Sequence, residues 1–275
     1  MERQEWIVYL CKKIDMPIEA IKQIEAQIKD IDLQEWDFAK GLLEKEQAEQ
    51  TWKKLKERIE EDTDGWKILA IMLATVQGTC DQWTKEKLPQ QIQWETLKTF
   101  SRFVKEHKKE TDRYGFDRDF WTWRQLCGQI LRLGSLEYED TTFKLEQWEE
   151  MKEGDRCIMI HIPSDASLEE IDVQDSIQQA KMRWGEDVPF FCESWLMASC
   201  LDSLLPEGSR LKKFRARFER GTEDLSNDSY IRWVFNNSKQ APENWQARTS
   251  LQQAIQKHIL QGGKIGTAWA RLKSL

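Results

Sequence analysis

At 275 residues and 32.7 kDa the chain can bury a large core, and ordinary domain sizes point to two domains. Charged residues make up 32% of it with a net charge of −7 and a pI near 5.3, so the surface repels phosphate backbones and anionic headgroups, and nucleic acid is excluded as an expected partner. No run approaches the roughly 18 consecutive apolar residues of a membrane span, and the start MERQEWIVYL lacks the basic and then apolar order of a signal peptide; no membrane and a cytoplasmic location are expected.

From Met1 to about Leu133 apolar residues recur at spacings of three and four. In MPIEAIKQIEAQIKDI the series Ile14, Ile18, Ile21, Ile24 or Ile28, and Ile31 marks one helix face, with Pro17 suited to a first turn. The same period predicts helices over 34–59, 65–83, 89–109 and 117–132. EEDTDG (60–65) ends one helix and offers Thr63 or Asp64 as a cap for the next, and Gly134 sits where a C-cap glycine belongs. The charged run KEHKKETDR (105–113) reads as a linker or as a solvated helix face.

After Leu133 the period changes to two. LGSLEYED (133–140) and TTFKLEQWEE (141–150) read as a hairpin turning at Glu139–Asp140, and RCIMIHIP (156–163) as a central strand stopped by Pro163. SLEEIDVQDSIQQAKMRW (167–184) opens with Ser167 and Glu170 at capping-box spacing, which predicts a helix. An apolar strand VPFFCESWL (188–196) follows, then a helix in MASCLDSLL, and FRARFERG (214–221) alternates like one more strand. A short helix in DSYIRWVFNN, a helix in ARTSLQQAIQKHIL and a strand in KIGTAWARL after Gly262–Gly263 complete the order. The fold class is α+β, with a helical N-terminal domain over 1–118 and a mixed sheet with packed helices over 119–275.

His161 ends a predicted central strand, where an imidazole acts either as a general base near neutral pH or as a hydrogen-bonded sheet residue. Cys192 and Ser194 share one strand face, and Glu193 and Trp195 the other. No GxSxG elbow accompanies them; Glu193 in a cleft beside Trp195 has the setting for a raised pKa and a role as base. The six cysteines form no CxxC pair and are expected to be reduced thiols, and no His, Cys or carboxylate spacing points to a metal. Neither GxxxxGK[ST] nor GxGxxG occurs. RLKKFRARFER (210–220) interleaves Phe214 and Phe218 with Lys212, Lys213, Arg215, Arg217 and Arg220, a pattern for holding phosphates or for protecting an edge strand. The fourteen tryptophans, from Trp6 to Trp269, anchor cores or line clefts.

The succession CIMIHIPSDASL, a helix, and FFCESWLMASCLDSLLPEGSRLKKFRARF resembles a bacterial acyltransferase-like family, in which a helical N-acyltransferase N-terminal domain precedes a GNAT-like C-terminal domain. The resemblance rests on His161-Ile162-Pro163, on Cys192-Glu193-Ser194-Trp195-Leu196, on Leu204-Leu205-Pro206-Glu207-Gly208-Ser209, and on Phe214-Arg215-Ala216-Arg217-Phe218. It implies a mixed sheet splayed at a central strand to admit the pantetheine arm of acyl-coenzyme A, the pyrophosphate then lying at the following helix start. On that mapping VPFFCESWL is the strand and MASCLDSLL the helix. The turn between them, SWLMASC, lacks the glycines usual in the family, so Trp195, the backbone of Met197 and Ala198, and Ser199 are the expected contacts, with Lys212 or Arg215 supplying charge. The implied reaction moves an acyl group from the thioester to an amine of a small molecule or peptide, with Glu193 or His161 as base and Ser194 or Cys192 as proton donor to the thiolate. The alternative is a GNAT-like binding module without catalysis.

Overall fold

The computed structural model describes residues 3–29, 31–59, 61–235 and 240–273, and its chain forms two compact units, Met1–Leu133 and Gly134–Leu275. The first unit contains α1 (Arg3–Lys13), α2 (Ile18–Ile28), α3 (Leu33–Phe38), α4 (Ala48–Arg58), α5 (Trp66–Lys85), α6 (Gln90–Thr111), α7 (Asp119–Leu126) and a short strand, β1 (Ile130–Leu133). In α5 the run Ile68, Leu69, Ala70, Ile71, Met72, Leu73 is wholly buried, and a helix stretch that is apolar all round belongs at the centre of a bundle. Helices α1, α2 and α7 pack on it. Among the described residues no helix is long and apolar enough to cross a membrane.

Several local expectations change. The helix over 34–59 is broken into α3, a 3-10 turn and α4, because Gly41 allows an approach so close that a Cβ there would stand 2.4 Å from Thr51 Oγ1. Asp62, rather than Thr63 or Asp64, caps α5: its carboxylate accepts from the N–H groups of Lys67 and Ile68 at 3.0 and 2.8 Å. Helix α6 runs to Thr111, so most of 105–113 is helix. The units divide after Leu133, at the change of period, rather than after residue 118, since α7 packs with α4, α5 and α6.

The second unit contains β2 (Leu136–Thr142), β3 (Gln147–Trp148), β4 (Met151–Lys152), β5 (Arg156–His161), α8 (Glu170–Trp184), β6 (Phe190–Ser194), α9 (Leu201–Leu204), α10 (Arg210–Ala216), β7 (Phe218–Asp224), α11 (Tyr230–Phe235), α12 (Ser250–Leu260) and β8 (Thr267–Leu272). Its strands lie in the order β2-β5-β6-β8-β7. Strands β5 and β6 are parallel, joined by the crossover helix α8, and the other neighbours are antiparallel. This is the mixed sheet expected of an α+β domain.

Glu139 and Asp140, read as a turn, lie inside β2 opposite Met159 and Ile158. Gly134, read as a helix cap, takes φ +63° in the turn entering β2. Helix α8 starts from Glu169 without a side-chain cap, and Ser167 instead donates to the Asp172 carboxylate. FRARFERG is no single strand: α10, capped by the Ser209 hydroxyl accepting from Lys212 N–H at 3.3 Å, carries Phe214 and Arg215, and β7 begins at Phe218. Asn236 and Asn237, the end of the helix predicted in DSYIRWVFNN, lie outside the described residues.

While β7 at the edge is exposed beyond Phe218, the central strands bury both faces. On one, Tyr138 donates to or accepts from Ser176 of α8 at 3.0 Å and stands edge-on to Phe190 at 6.2 Å. On the other, Phe143, Met151, Cys157, Met159, Phe191 and Trp269 form a core, with Phe143 4.9 Å from Phe191 and 5.2 Å from Trp269 between ring centres. A separate cluster joins Leu201, Tyr230, Phe235, Trp245, Ile255 and Ile265 under α9, α11 and α12.

Candidate active site

The parallel register between β5 and β6 runs over Ile158↔Phe190 and Met159↔Phe191 and stops there. Each strand nevertheless continues, β5 to His161 and β6 to Ser194: Glu137↔His161 joins β5 to β2, and Glu193↔Trp269 and Ser194↔Ala268 join β6 to β8. Past the last shared pair the two parallel strands thus run on to their C-terminal ends without sharing a register, and this end of the β5–β6 seam is called the wedge.

Alternation places Met159, His161, Phe191, Glu193 and Trp269 on one face. The aromatic core lies on that face, and His161 and Glu193 stand on it past the last β5–β6 pair, toward the C-terminal ends of the two strands. His161 Nε2 is 2.8 Å from Glu139 Oε2, with the two side chains only 18% and 11% exposed. Desolvation holds the Glu193 carboxyl above its ordinary range. A hydrogen bond from Trp269 and the charge of His161 pull it back, and Asp224 pushes it up again. Glu193 is exposed as a residue, so solvent screens all four effects.

The remaining expected site residues separate from this pair. Cys192 faces the opposite side of the sheet, is buried, and has its thiol pushed up to about 12 by burial and, secondarily, by Glu193. Ser194, on the face of Cys192, is half-buried and accepts from Leu196 N–H at 3.1 Å. Trp195 leaves the face of Glu193 because the strand ends at Ser194 in a 3-10 turn, which packs the indole against the Leu201 and Ile255 cluster. Met197 and Ala198 are buried in that turn.

Several of the turn's backbone groups are bonded within the fold. Ala198 N–H donates to Trp195 O at 3.0 Å and Ser199 N–H to Glu223 at 3.0 Å. Arg215, 5% exposed, donates to the carbonyls of Leu196 and of Ala198, the latter at 3.0 Å, and to Asp202 at 2.6 Å. Lys212 is paired with Glu207. Arg215 thus fastens the turn from inside rather than offering a charge to a phosphate. Helix α8, which follows β5, carries Glu170 and Asp172 in its first turn, so its positive dipole end is already neutralised.

Glu139 and Trp269 belong to this site and were not singled out from sequence; only the register of β2 on β5 and of β6 on β8 brings them to the mouth. Among the described residues no group of three or more His, Cys, Asp or Glu side chains is placed to hold a metal, and the six cysteines are free thiols.

The family model described as GNAT-like C-terminal domain matches residues 130–272, and the one described as N-acyltransferase N-terminal domain matches residues 7–128. Comparison with curated proteins found no match. Among solved structures the chain is similar to an acyltransferase in complex with decanoyl-CoA and teicoplanin, at 18% identity and a TM-score of 0.74 over 96% of this chain and 87% of that one. It is also similar to an acyltransferase variant in complex with octanoyl-CoA, at 17% identity and a TM-score of 0.76 over 97% of this chain and 87% of that one. At such identities the likeness is one of fold.

Proposed function

The chain belongs to the family that joins an N-acyltransferase N-terminal domain to a GNAT-like C-terminal domain, and from that premise we propose that it transfers an acyl group from an acyl-coenzyme A thioester to an amine. The observation that carries this reading is the wedge between β5 and β6, whose pairing ends at Met159↔Phe191 while both strands run on. A pantetheine arm is an extended chain with amide donors and acceptors, and it fits between two strand ends past their last shared pair in the way an added strand does. The thioester then reaches the face where His161 and Glu193 stand.

His161 or Glu193 takes a proton from the acceptor's ammonium, and the amine lone pair attacks the thioester carbon. Backbone N–H groups at the inner strand edges steady the oxyanion. As the tetrahedral species collapses, the C–N bond is complete, the C–S bond breaks, and the coenzyme leaves as a thiolate. That thiolate takes up the proton held on the base, since Ser194 shares the face of Cys192 and not that of His161 and Glu193. The buried Cys192 takes no part.

The similar structure with teicoplanin bound supports a small-molecule or peptide acceptor. The net charge of −7 suits a cationic amine and disfavours nucleic acid and anionic membranes. Reduced thiols and an acyl-coenzyme A substrate fit a cytoplasmic setting.

Calorimetric titration with acetyl-CoA and octanoyl-CoA tests the binding, and thiol release in the presence of benzylamine or glycylglycine amide tests the transfer. Saturable binding of either thioester is the expected result; no heat at millimolar ligand sinks the reading. Of the two candidate bases, the true one should abolish release on substitution (His161→Ala or Glu193→Gln) while leaving thioester affinity within about twofold.

A further inference from the structure

Three acidic or basic groups meet on one face at the mouth of the wedge, and only one pair among them is built with its partner buried. Glu139 is 9% exposed in the middle of β2, opposite Met159, and reaches diagonally to the imidazole two residues farther along β5. The contact at 2.8 Å is made through Nε2. A carboxylate has no proton to give, so Nε2 carries the hydrogen, and whenever the ring is neutral its lone pair is therefore on Nδ1.

We infer that Glu139 is a positioning residue for the acyl transfer, holding His161 in the Nε2–H tautomer so that Nδ1 is the atom that accepts the proton of the attacking amine. This rests on the acyltransferase reading above and selects between its two bases. When Nδ1 takes that proton the ring becomes an imidazolium between Nδ1–H and Nε2–H, and the carboxylate already in place stabilises the new charge without moving. The proton returns from Nδ1 toward the departing thiolate, and the ring is neutral again. Glu193, on the solvent side of the same face, then serves to draw the ammonium in rather than to remove its proton.

The wild-type protein, labelled with 15N-histidine and observed near pH 8, above the ordinary imidazole range, reads the tautomer directly; the His161 signal is assigned by its loss in His161→Gln. Nε2 protonated and Nδ1 bare is the expected spectrum, and Nδ1–H overturns the inference whatever the kinetics. Glu139→Gln keeps the shape and removes the charge, and it should lower kcat on the order of tenfold or more with KM for octanoyl-CoA within about twofold. An unchanged kcat in Glu139→Gln, with Glu193→Gln inactive, makes Glu193 the base; it overturns this inference and leaves the acyltransferase reading standing. Absence of thioester binding by wild type is the opposite case, in which the reaction fails while the tautomer is still measured. If Glu139→Gln does not fold, the wild-type spectrum decides alone.

Discussion

Two stretches adjoin at the end of β6 and spend their polar groups in opposite ways. In the turn over 195–199 the N–H groups of Leu196, Ala198 and Ser199 and the carbonyls of Leu196 and Ala198 are all bonded within the fold, with Arg215 buried beneath them. In the wedge, next to it along β6, the shared register of β5 and β6 ends at Met159↔Phe191 and two titratable side chains, His161 and Glu193, stand past it on one face. The turn is the stretch whose composition looks like a ligand cradle, and it is the closed one. A buried guanidinium must find acceptors to offset its desolvation, so basic residues beside an apolar run mark structure at least as readily as substrate.

The contrast breaks if the turn matters to chemistry more than the wedge does. The largest expected effect is at the mouth: His161→Ala should lower kcat for thiol release by about 10²–10⁴-fold, the range typical of a lost general base, with the melting temperature little changed. Assaying release from octanoyl-CoA against a fixed amine checks it. A loss under about tenfold moves the chemistry elsewhere.

Arg215→Leu comes next, and its effect should be on stability. It strips the charged donors from two buried carbonyls and from Asp202, which we expect to cost about 2–4 kcal/mol in urea unfolding. Arg215→Lys should recover little of that, because an ammonium cannot span three acceptors as a planar guanidinium does. Wild-type stability in Arg215→Leu together with a raised KM for acyl-coenzyme A would return this residue to the cofactor.

How much of this was legible beforehand follows from the range of each signal. The helices of the first unit and the strand–helix–strand passage from 156 to 194 show in their periods because each element buries a continuous face, as α5 does with Ile68 to Leu73. FRARFERG misled because alternating charges around Phe214 and Phe218 fit period two, while their spacing of four also fits a helical turn; the rings do meet, at 5.1 Å, as α10 gives way to β7. Strand alternation puts Trp195 on the face of Glu193 only while the strand continues, and the Ser194 hydroxyl capping the 3-10 turn ends it there. Glu139 was unreadable for a different reason. It is 22 residues from His161, and its partnership depends on which residue of β2 lies opposite which of β5. Moving the presumed turn from Glu139–Asp140 to Gly134 and its neighbour changes that register entirely.

Cys192 sharpens the comparison from the wedge side, since it neighbours Glu193 yet faces the other way. Cys192→Ala should leave thiol release within about twofold of wild type and cost on the order of 1 kcal/mol for the small space left in the core. A collapse of turnover without a comparable loss of stability would put the sulfur in the reaction despite its burial.

The smallest effect concerns acid stability of the turn. Burial works against the ionised Asp202 carboxylate, but hydrogen bonds from Arg220 and Arg215 and their charges outweigh it and hold its pKa below the ordinary value. A carboxyl whose folded pKa is depressed contributes stability that is present above its unfolded pKa and is lost as pH falls through the folded one. Asp202 is half-exposed, so the contribution is roughly a few tenths of a kcal/mol. Asp202→Asn should therefore unfold at slightly lower urea than wild type at neutral pH, and the two curves should converge as the buffer is taken below the ordinary aspartate range near pH 3.9. A gap that persists undiminished in acid would mean that the amide disturbs the packing of the turn, and that the ion pairs of Asp202 with Arg215 and Arg220 hold it together less than the hydrogen bonds from Arg215 to the carbonyls of Leu196 and Ala198.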